Sequence, residues 1–295
     1  MSKYYADEEK VLLHFFTNID KDIYCATDNM PISLWAFLLG GYSRSQLSMR
    51  DRFLKIFRDI SMESKDSQDY DEIIHDIVNS ISVGSEYLNV MLAKSAKFME
   101  VYAINYGHNS LKDSSYDRIA IENVSIRATK ILEDSQQGAF QEKSTRYMDF
   151  SVDSYYFPEC EFLYDEHQNI IQKSFQLYRV ILEEATKYFK TTISKEDFKT
   201  EAAWERTCKA KAFDEARYAL PTATKTSLGV TMPTRETERW ISKLLGAPEK
   251  EIRDLAIQIQ EECIKINPGL LKHVVPNSYL NQNNNKFANL MWQKT

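Results

Sequence analysis

The amino-acid sequence predicts a helix-rich α+β protein with no clear domain boundary. Its 295 residues include 8 glycines and 7 prolines, which are low counts for an all-β architecture that depends on tight turns. Apolar residues recur at helical spacing over several long segments. By contrast, residues 222–231 are rich in Thr, Ser and Val, which is typical of a strand. A chain of this length can bury a large core, as one big domain or two small ones.

Helices are predicted for most of the N-terminal half. Residues 34–60 have a helical pattern that is broken at Gly40-Gly41, and the run from Leu47 to Ile60 is amphipathic. Residues 119–132 fit either a strand that continues into a helix or one long helix. The other predicted elements here are helices at 71–81 and 87–102 and a turn from Gly107 to Ser110.

Long helices are also predicted for the C-terminal half. A helix end is predicted at Gly138, and apolar and polar residues alternate in a candidate strand over 147–152. Pro221 ends a predicted helix, because proline cannot continue the hydrogen-bond ladder. Thr234 is a good N-cap for the helix that follows. The remaining predictions are helices at 171–190, 194–220 and 249–266, and a loosely ordered polar tail from Asn277.

Charge and hydropathy narrow the class of protein. The formal net charge is −6, which argues against binding to a nucleic-acid polymer, since that requires a basic surface. The acidic N-terminus has no signal-peptide pattern, and the apolar run from Leu34 to Leu39 is too short to cross a bilayer. We therefore expect a soluble, cytoplasmic protein without a membrane partner.

The four cysteines give no sign of a metal or redox centre. They lie far apart in the sequence and form no C-x-x-C pair. Isolated cysteines are usually core residues, so we expect no metal site and assign no catalytic nucleophile. The cysteines are Cys25, Cys160, Cys208 and Cys263.

The segment from Gln141 to Tyr147 has the composition of a phosphate-binding turn. Ser144 and Thr145 provide hydroxyl donors, and Arg146 provides a planar fork that fits a phosphate or a carboxylate. Each side chain also has a purely structural interpretation. The hydroxyls can cap a turn, and Arg146 can form a surface ion pair of little energetic value. The residues alone leave both interpretations open.

Three segments in a fixed order resemble one known family. They are Tyr106 to Ser110, Gln141 to Tyr147, and Ala216 to Pro221, the last followed by Thr226 and Arg235. They are similar to the G-H-x-S/T turn, the N-E-x-S-x-R-Y motif and the A-R-x-x-L-P motif of the flavin-dependent thymidylate synthases. The chain is thus identified as a divergent member of this ThyX-type, thymidylate synthase-complementing superfamily. Some related proteins are about twice this length, which makes a partner unit conceivable.

The resemblance implies a fold and a division of the chain. A ThyX-like fold has a small, mostly antiparallel sheet flanked by long helices. We expect it to span residues 34–272, with an N-terminal extension at 1–33 and a polar C-terminal tail at 273–295. Sites in this family are built between subunits, so the resemblance also implies a homo-oligomer, a tetramer or a dimer.

The resemblance also implies roles for individual residues. Glu142, Ser144, Thr145, Arg146 and Arg217 would bind a pyrimidine deoxynucleotide, and His108, Ser110 and Arg235 would contact flavin. Structural alternatives stay open, because Arg217 can be a helix-surface charge and His108 can merely close its turn. Arg235 lies unfavourably for the helix dipole, which hints at an anionic partner.

One departure from the family pattern concerns the cofactor. The family carries an Arg-His-Arg triplet that holds flavin and nucleotide, and Asp134-Ser135-Gln136 stands in its place here. The nucleotide half of the pattern is therefore better preserved than the flavin half.

Two hypotheses about function follow, with a weaker third. The first is a ThyX-like methyltransferase that adds a methyl or hydroxymethyl group to C5 of a deoxyuridine-type nucleotide, with FAD, reduced folate and NADPH. The alternative is a ThyX-fold protein that binds or modifies a pyrimidine nucleotide without flavin chemistry. The third is a helical interaction protein without either ligand.

Overall fold

The structure is a computed structural model of the 295-residue chain. The residues that it describes are 3–30, 34–35, 38–39, 42, 45–63, 71, 74–75, 78–79, 112–113, 115–150, 154–157, 164–279, 281–283 and 286. The predicted helix at 87–102 and the turn with His108 and Ser110 lie outside these residues. In the described part of the chain, no helix is both long and apolar enough to cross a membrane.

The described secondary structure consists of helices around four strands. The strands are β1 (Ile23–Cys25), β2 (Tyr116–Ser125), β3 (Ala139–Glu142) and β4 (Lys225–Pro233). The helices up to the middle of the chain are α1 (Ala6–Phe15), α2 (Met49–Glu63), α3 (Ile126–Leu132) and α4 (Tyr164–Thr192). They are followed by α5 (Glu201–Ala216), α6 (Thr234–Leu245), α7 (Lys250–Ile266) and α8 (Pro268–Leu271).

The strands form one antiparallel sheet in the order β1-β2-β4-β3. The long central pair β2 and β4 aligns Ala120 with Gly229, and β3 aligns Gln141 with the same glycine. The predicted helix-rich fold with a small antiparallel sheet is confirmed. Strand β1 comes from the segment before residue 34 and occupies one edge of the sheet.

Both faces of the sheet are covered by apolar residues. Because side chains alternate along a strand, Ile119 and Ile121 face one cluster with Trp240 of α6, while Ala120 faces another with Phe53 of α2. A third cluster, around Phe175, joins α4 to α5. The first two clusters fix the sheet between the helices, and the third anchors the helical pair beside it.

The structure decides between the alternatives for residues 119–132. A strand ends at Ser125 and a helix begins at Ile126, so the strand-to-helix alternative is right. The buried Ser125 hydroxyl accepts a hydrogen bond from Ala128 N at 2.9 Å and donates to Glu251 Oε2 at 2.7 Å. One side chain thus caps α3 and holds it against α7.

Removal of this cap is expected to destabilise the protein. Ser125→Ala loses the cap and leaves a carboxylate oxygen of Glu251 without its donor, so the free energy of unfolding should fall by about 2 kcal/mol. Urea denaturation measures this change. Ser194→Ala is the matched control, because Ser194 caps only a short exposed 3-10 turn. Equal losses in the two variants would contradict the prediction.

Two predictions near the motif are wrong. The helix before it ends at Leu132 and not at Gly138, and a strand at Ala139–Glu142 includes the first two residues of the motif. Of the strand predicted over 147–152, the described residues 147–150 are a turn and an irregular segment. Their alternating pattern has another cause, because Met148 and Phe150 pack into the α4–α5 cluster without pairing to a strand.

The predicted long helices in the C-terminal half are confirmed with shifted ends. Helix α4 starts at Tyr164, earlier than predicted, and the segment 194–220 divides into α5 and two short 3-10 turns. Thr200 caps α5 by accepting from Ala203 N at 3.2 Å. The second 3-10 turn, Arg217–Ala219, lies directly before Pro221, as the proline predicts.

Candidate functional site

The motif segment leaves β3 and turns at the edge of the sheet. Lys143 N donates to Ser227 O at 2.9 Å, which extends the β3–β4 ladder beyond Glu142. The chain then reverses, with Tyr147 N donating to Ser144 O at 3.2 Å and Arg146 N donating to Ser144 Oγ at 3.3 Å. Ser144 thus caps the turn, and its own hydroxyl proton stays available for an acceptor.

The turn borders an open cavity of about 490 Å³. This volume lies within the range of small-molecule sites. The predicted residues Glu142, Ser144 and Thr145 line it together. The other lining residues are Glu133, Gln141, Lys143 and Tyr147.

Glu142 is the electrostatically unusual residue of this cavity. Burial, together with the charge of Glu133, raises the pKa of Glu142 to about 6. The Thr129 hydroxyl lies 3.0 Å from Ile126 O and 3.1 Å from Glu142 Oε1. The Thr129 hydroxyl is the donor in both contacts, and its hydrogen bond to Glu142 opposes the rise in the pKa. Burial and the charge of Glu133 outweigh this hydrogen bond, so the pKa of the Glu142 carboxyl group stays raised at about 6.

Arg146 and Arg217 meet at one carboxylate outside this cavity. Arg146 Nε lies 3.0 Å and Arg217 Nη2 3.5 Å from Asp214 Oδ1. Two guanidinium groups thus share one carboxylate, which leaves an excess positive charge beside the turn. The structure brings together two predicted arginines that are distant in sequence, and it adds Asp214, which the sequence analysis missed. Asp214 and Arg217 are one helical turn apart, and this spacing was the sequence signal that could have predicted their contact.

Two of the residues expected at the position of the family's basic triplet, Asp134 and Ser135, contact α6. Asp134 Oδ2 lies 2.5 Å from Lys243 Nζ, and Ser135 Oγ donates to Glu236 Oε1 at 2.7 Å. Arg235, a predicted flavin contact, instead pairs with Asp113 at 2.9 Å. It borders a separate cavity of about 290 Å³ with Glu238, Arg239 and Ser242.

The three described cysteines, Cys25, Cys208 and Cys263, are buried, and none of them lines the cavity at the turn. Among the described side chains, no group of three or more His, Cys, Asp or Glu residues could hold a metal ion. Lining residues to which the sequence analysis gave no role are Glu133, upstream of the motif, and Lys143, within it.

Comparison with known proteins identifies the family. The family model for thymidylate synthase complementing proteins matches residues 57–269, which include the turn and the helix with Arg217. The chain belongs to this family. The resemblance of the three motifs is thereby confirmed at the level of family membership.

Two curated relatives illustrate the range of this family. A UPF0159 protein of Chlamydia pneumoniae is 28% identical over 282 residues, covering 91% of this chain and 49% of that protein. A flavin-dependent thymidylate synthase of Sulfurisphaera tokodaii is 28% identical over 183 residues, covering 61% of this chain and 63% of that protein. The chain spans about half the length of the UPF0159 relative that it matches.

A solved structure of the family is also similar. It is thymidylate synthase X from Helicobacter pylori with FAD and dUMP, at a TM-score of 0.45 and 17% identity. The similarity covers 62% of this chain and 84% of that chain.

Proposed function

We propose that the turn and cavity bind a pyrimidine deoxynucleotide of the dUMP type, and that the protein transfers a one-carbon unit to C5 of its base. The observation that carries this proposal is the convergence of Arg146 and Arg217 beside the hydroxyls of the Ser144 turn. Names of relatives support the same substrate, since flavin-dependent thymidylate synthases are among them. A reduced folate would supply the carbon, NADPH would supply reducing equivalents, and a homo-oligomer would complete the site.

The phosphate is the part of the substrate that this site fits best. Ser144 and Thr145 offer hydroxyl donors at the mouth of the cavity. The two guanidinium groups carry one positive charge more than Asp214 neutralises. Hydrogen bonds between ionised groups are the strong ones, so a phosphate in this position would gain more than a neutral ligand.

The base would lie toward Glu142 and Glu133. A protonated Glu142 can donate to a carbonyl oxygen of a pyrimidine, and its ionised form can accept from a ring N–H. Since the pKa of Glu142 is raised to about 6, both forms are accessible near neutral pH. This carboxyl group is thus suited to orient the base and to exchange a proton with it.

Flavin fits the described residues less well than the nucleotide does. The pyrophosphate of FAD needs cations, and Asp134 puts a carboxylate at the triplet position. The cations on the neighbouring face of α6 are engaged by carboxylates, with Arg235 bound to Asp113 and Lys243 bound to Asp134. We therefore derive no step that passes through flavin from these residues. A second candidate function, favoured by this observation, is nucleotide binding or modification without flavin chemistry.

Calorimetric titration of the purified chain with dUMP and with deoxyuridine tests the nucleotide proposal. The phosphate should strengthen binding by roughly 10-fold or more, as a charged hydrogen bond contributes about 1.5–3 kcal/mol. Equal affinities for the two ligands, or no binding of dUMP, would contradict the proposal. The visible spectrum after addition of FAD and gel filtration then separates the two candidates. A retained flavin spectrum supports the flavin-dependent transferase, and its absence supports the second candidate.

A further inference from the structure

One carboxylate joins the two arginines of the candidate phosphate site. Asp214 lies in the last turn of α5, three residues before Arg217. Its Oδ1 atom is 3.0 Å from Arg146 Nε and 3.5 Å from Arg217 Nη2. Arg146 belongs to the turn after β3, so this oxygen connects two segments that are distant in the chain. Within the described part of the chain, no other carboxylate lies at ion-pair distance from either arginine.

The shared oxygen is buried. The Asp214 side chain as a whole is 39% exposed, but its Oδ1 atom is shielded from solvent and has no hydrogen-bond partner among the described residues. The two guanidinium nitrogens lie at ion-pair distance but outside hydrogen-bond geometry. A buried carboxylate oxygen without a hydrogen bond is unfavourable. The charges of both arginines offset this cost, so the three side chains depend on one another.

The contact leaves most of the Arg146 guanidinium available. A guanidinium carries five N–H donors, and Asp214 lies against the Nε atom of Arg146. The two terminal nitrogens of Arg146 form one of the edges that can bind a phosphate as a fork. No carboxylate of the described residues lies at ion-pair distance from that edge. Asp214 can therefore hold Arg146 without occupying the end that would bind a phosphate.

Without Asp214, the two arginines would repel each other, because both carry a full positive charge near the same point. The Arg146 side chain is 53% exposed and that of Arg217 is 28% exposed, so each can turn toward water. A ligand would then have to order two long side chains, which costs conformational entropy at the moment of binding. The carboxylate makes that ordering unnecessary by holding the arginines together in advance.

We propose that Asp214 is a positioning residue of the phosphate site, which holds Arg146 and Arg217 in the arrangement that binds the nucleotide phosphate. This inference rests on the proposed function and adds a residue to it. Asp214 acts through the two arginines and does not touch the ligand. Since a carboxylate near a phosphate also repels it, charge alone predicts that removal of Asp214 tightens binding. Positioning predicts the opposite sign.

Calorimetric titration of the natural chain and of Asp214→Asn with dUMP and with deoxyuridine tests this role. The amide keeps the size of the side chain and removes its charge. The dUMP affinity should fall roughly 10-fold, as is typical of coupled residues. The deoxyuridine affinity should stay unchanged, because the nucleoside has no phosphate. Glu215→Gln, which removes the charge of the next, exposed residue of α5, is the matched control and should bind both ligands as the natural chain does.

A double variant shows whether Asp214 acts through the arginines. In the Arg146→Ala background, Asp214→Asn should cost less dUMP affinity than in the natural chain, because one of the two groups that it positions is gone. An undiminished loss would contradict the proposal. Unchanged or tighter dUMP binding in Asp214→Asn would overturn it, and so would an equal loss of deoxyuridine affinity or an equal loss in Glu215→Gln.

The outcomes also separate this inference from the proposed function. If the natural chain prefers dUMP to deoxyuridine and Asp214→Asn keeps the full preference, the nucleotide site stands and the role of Asp214 is wrong. If the natural chain binds dUMP no more tightly than deoxyuridine, the phosphate site and the role of Asp214 are both wrong.

Discussion

Arg146→Ala is expected to weaken dUMP binding roughly 10- to 100-fold, since loss of a charged hydrogen bond costs about 1.5–3 kcal/mol. The guanidinium lies beside the Ser144 turn and shares Asp214 with Arg217. Arg217→Ala should have a similar effect for the same reason. The double variant should lose less binding free energy than the sum of the two single losses, because both arginines act on one phosphate and one carboxylate. Calorimetric titration of the three variants measures these changes.

Arg127→Ala is the matched control for this experiment. Arg127 is 59% exposed, compared with 53% for Arg146, and it also binds a single carboxylate, that of Glu249 at 2.8 Å. It should leave the dUMP affinity unchanged, since it pairs with Glu249 and not with Asp214 beside the Ser144 turn. If Arg146→Ala binds dUMP as tightly as the natural chain, the proposed site is wrong. If Arg127→Ala weakens binding equally, the effect is only one of net charge.

Glu142→Gln is expected to stabilise the protein at neutral pH. The pKa of Glu142 is raised from 4.5 to about 6 in the folded chain, so the folded state holds its proton more tightly than the unfolded state does. Stability is therefore lost as the pH rises from about 4.5 to about 6, and the full cost persists above that range. A shift of this size corresponds to about 2 kcal/mol. The neutral glutamine avoids this cost, so the variant should gain up to that amount at about pH 8.

Urea denaturation of both proteins across the pH range measures this effect. The stability difference should shrink toward zero at about pH 4, where Glu142 is protonated in both states. Glu215→Gln, an exposed carboxylate on α5, is the control and should show no such pH-dependent gain. A difference between Glu142→Gln and the natural chain that is independent of pH would contradict the titration of this residue. A carboxyl group that lowers stability at the pH of function is typical of a site selected for binding or chemistry.

Local patterns predicted the helices well and the sheet less well. The helical period over 249–266 corresponds to α7 within one residue. Helix α6 begins at Thr234, but the predicted N-cap role of Thr234 is wrong, because Pro233 is the N-cap and no side chain caps this helix. Such elements depend on residues that are near in sequence, so their signal is local. The strand before the motif was missed because its hydrogen bonds go to β4, which lies far along the chain. At residues 147–150 a strand was predicted that the structure does not have. The alternation of apolar and polar residues there reflects packing onto α4 and α5.

The candidate site also has a part that the sequence predicted and a part that only the structure shows. The sequence predicted Ser144, Thr145 and Arg146 as one turn because they are adjacent, and the structure shows that turn with Glu142 at the end of β3. The sequence did not predict that Asp214 would join Arg146 to Arg217, because that contact depends on how α5 lies beside the turn. The structure leaves Arg235 at Asp113, near another cavity.

By itself, then, the sequence determined the fold class, the family and the residues of the candidate turn, since periodicity and short motifs are properties of neighbouring residues. Only the tertiary structure decided the protonation of Glu142 and the surroundings of Lys143. A pKa depends on burial and on charges from distant segments, such as Glu133 for Glu142 and Glu122 for Lys143.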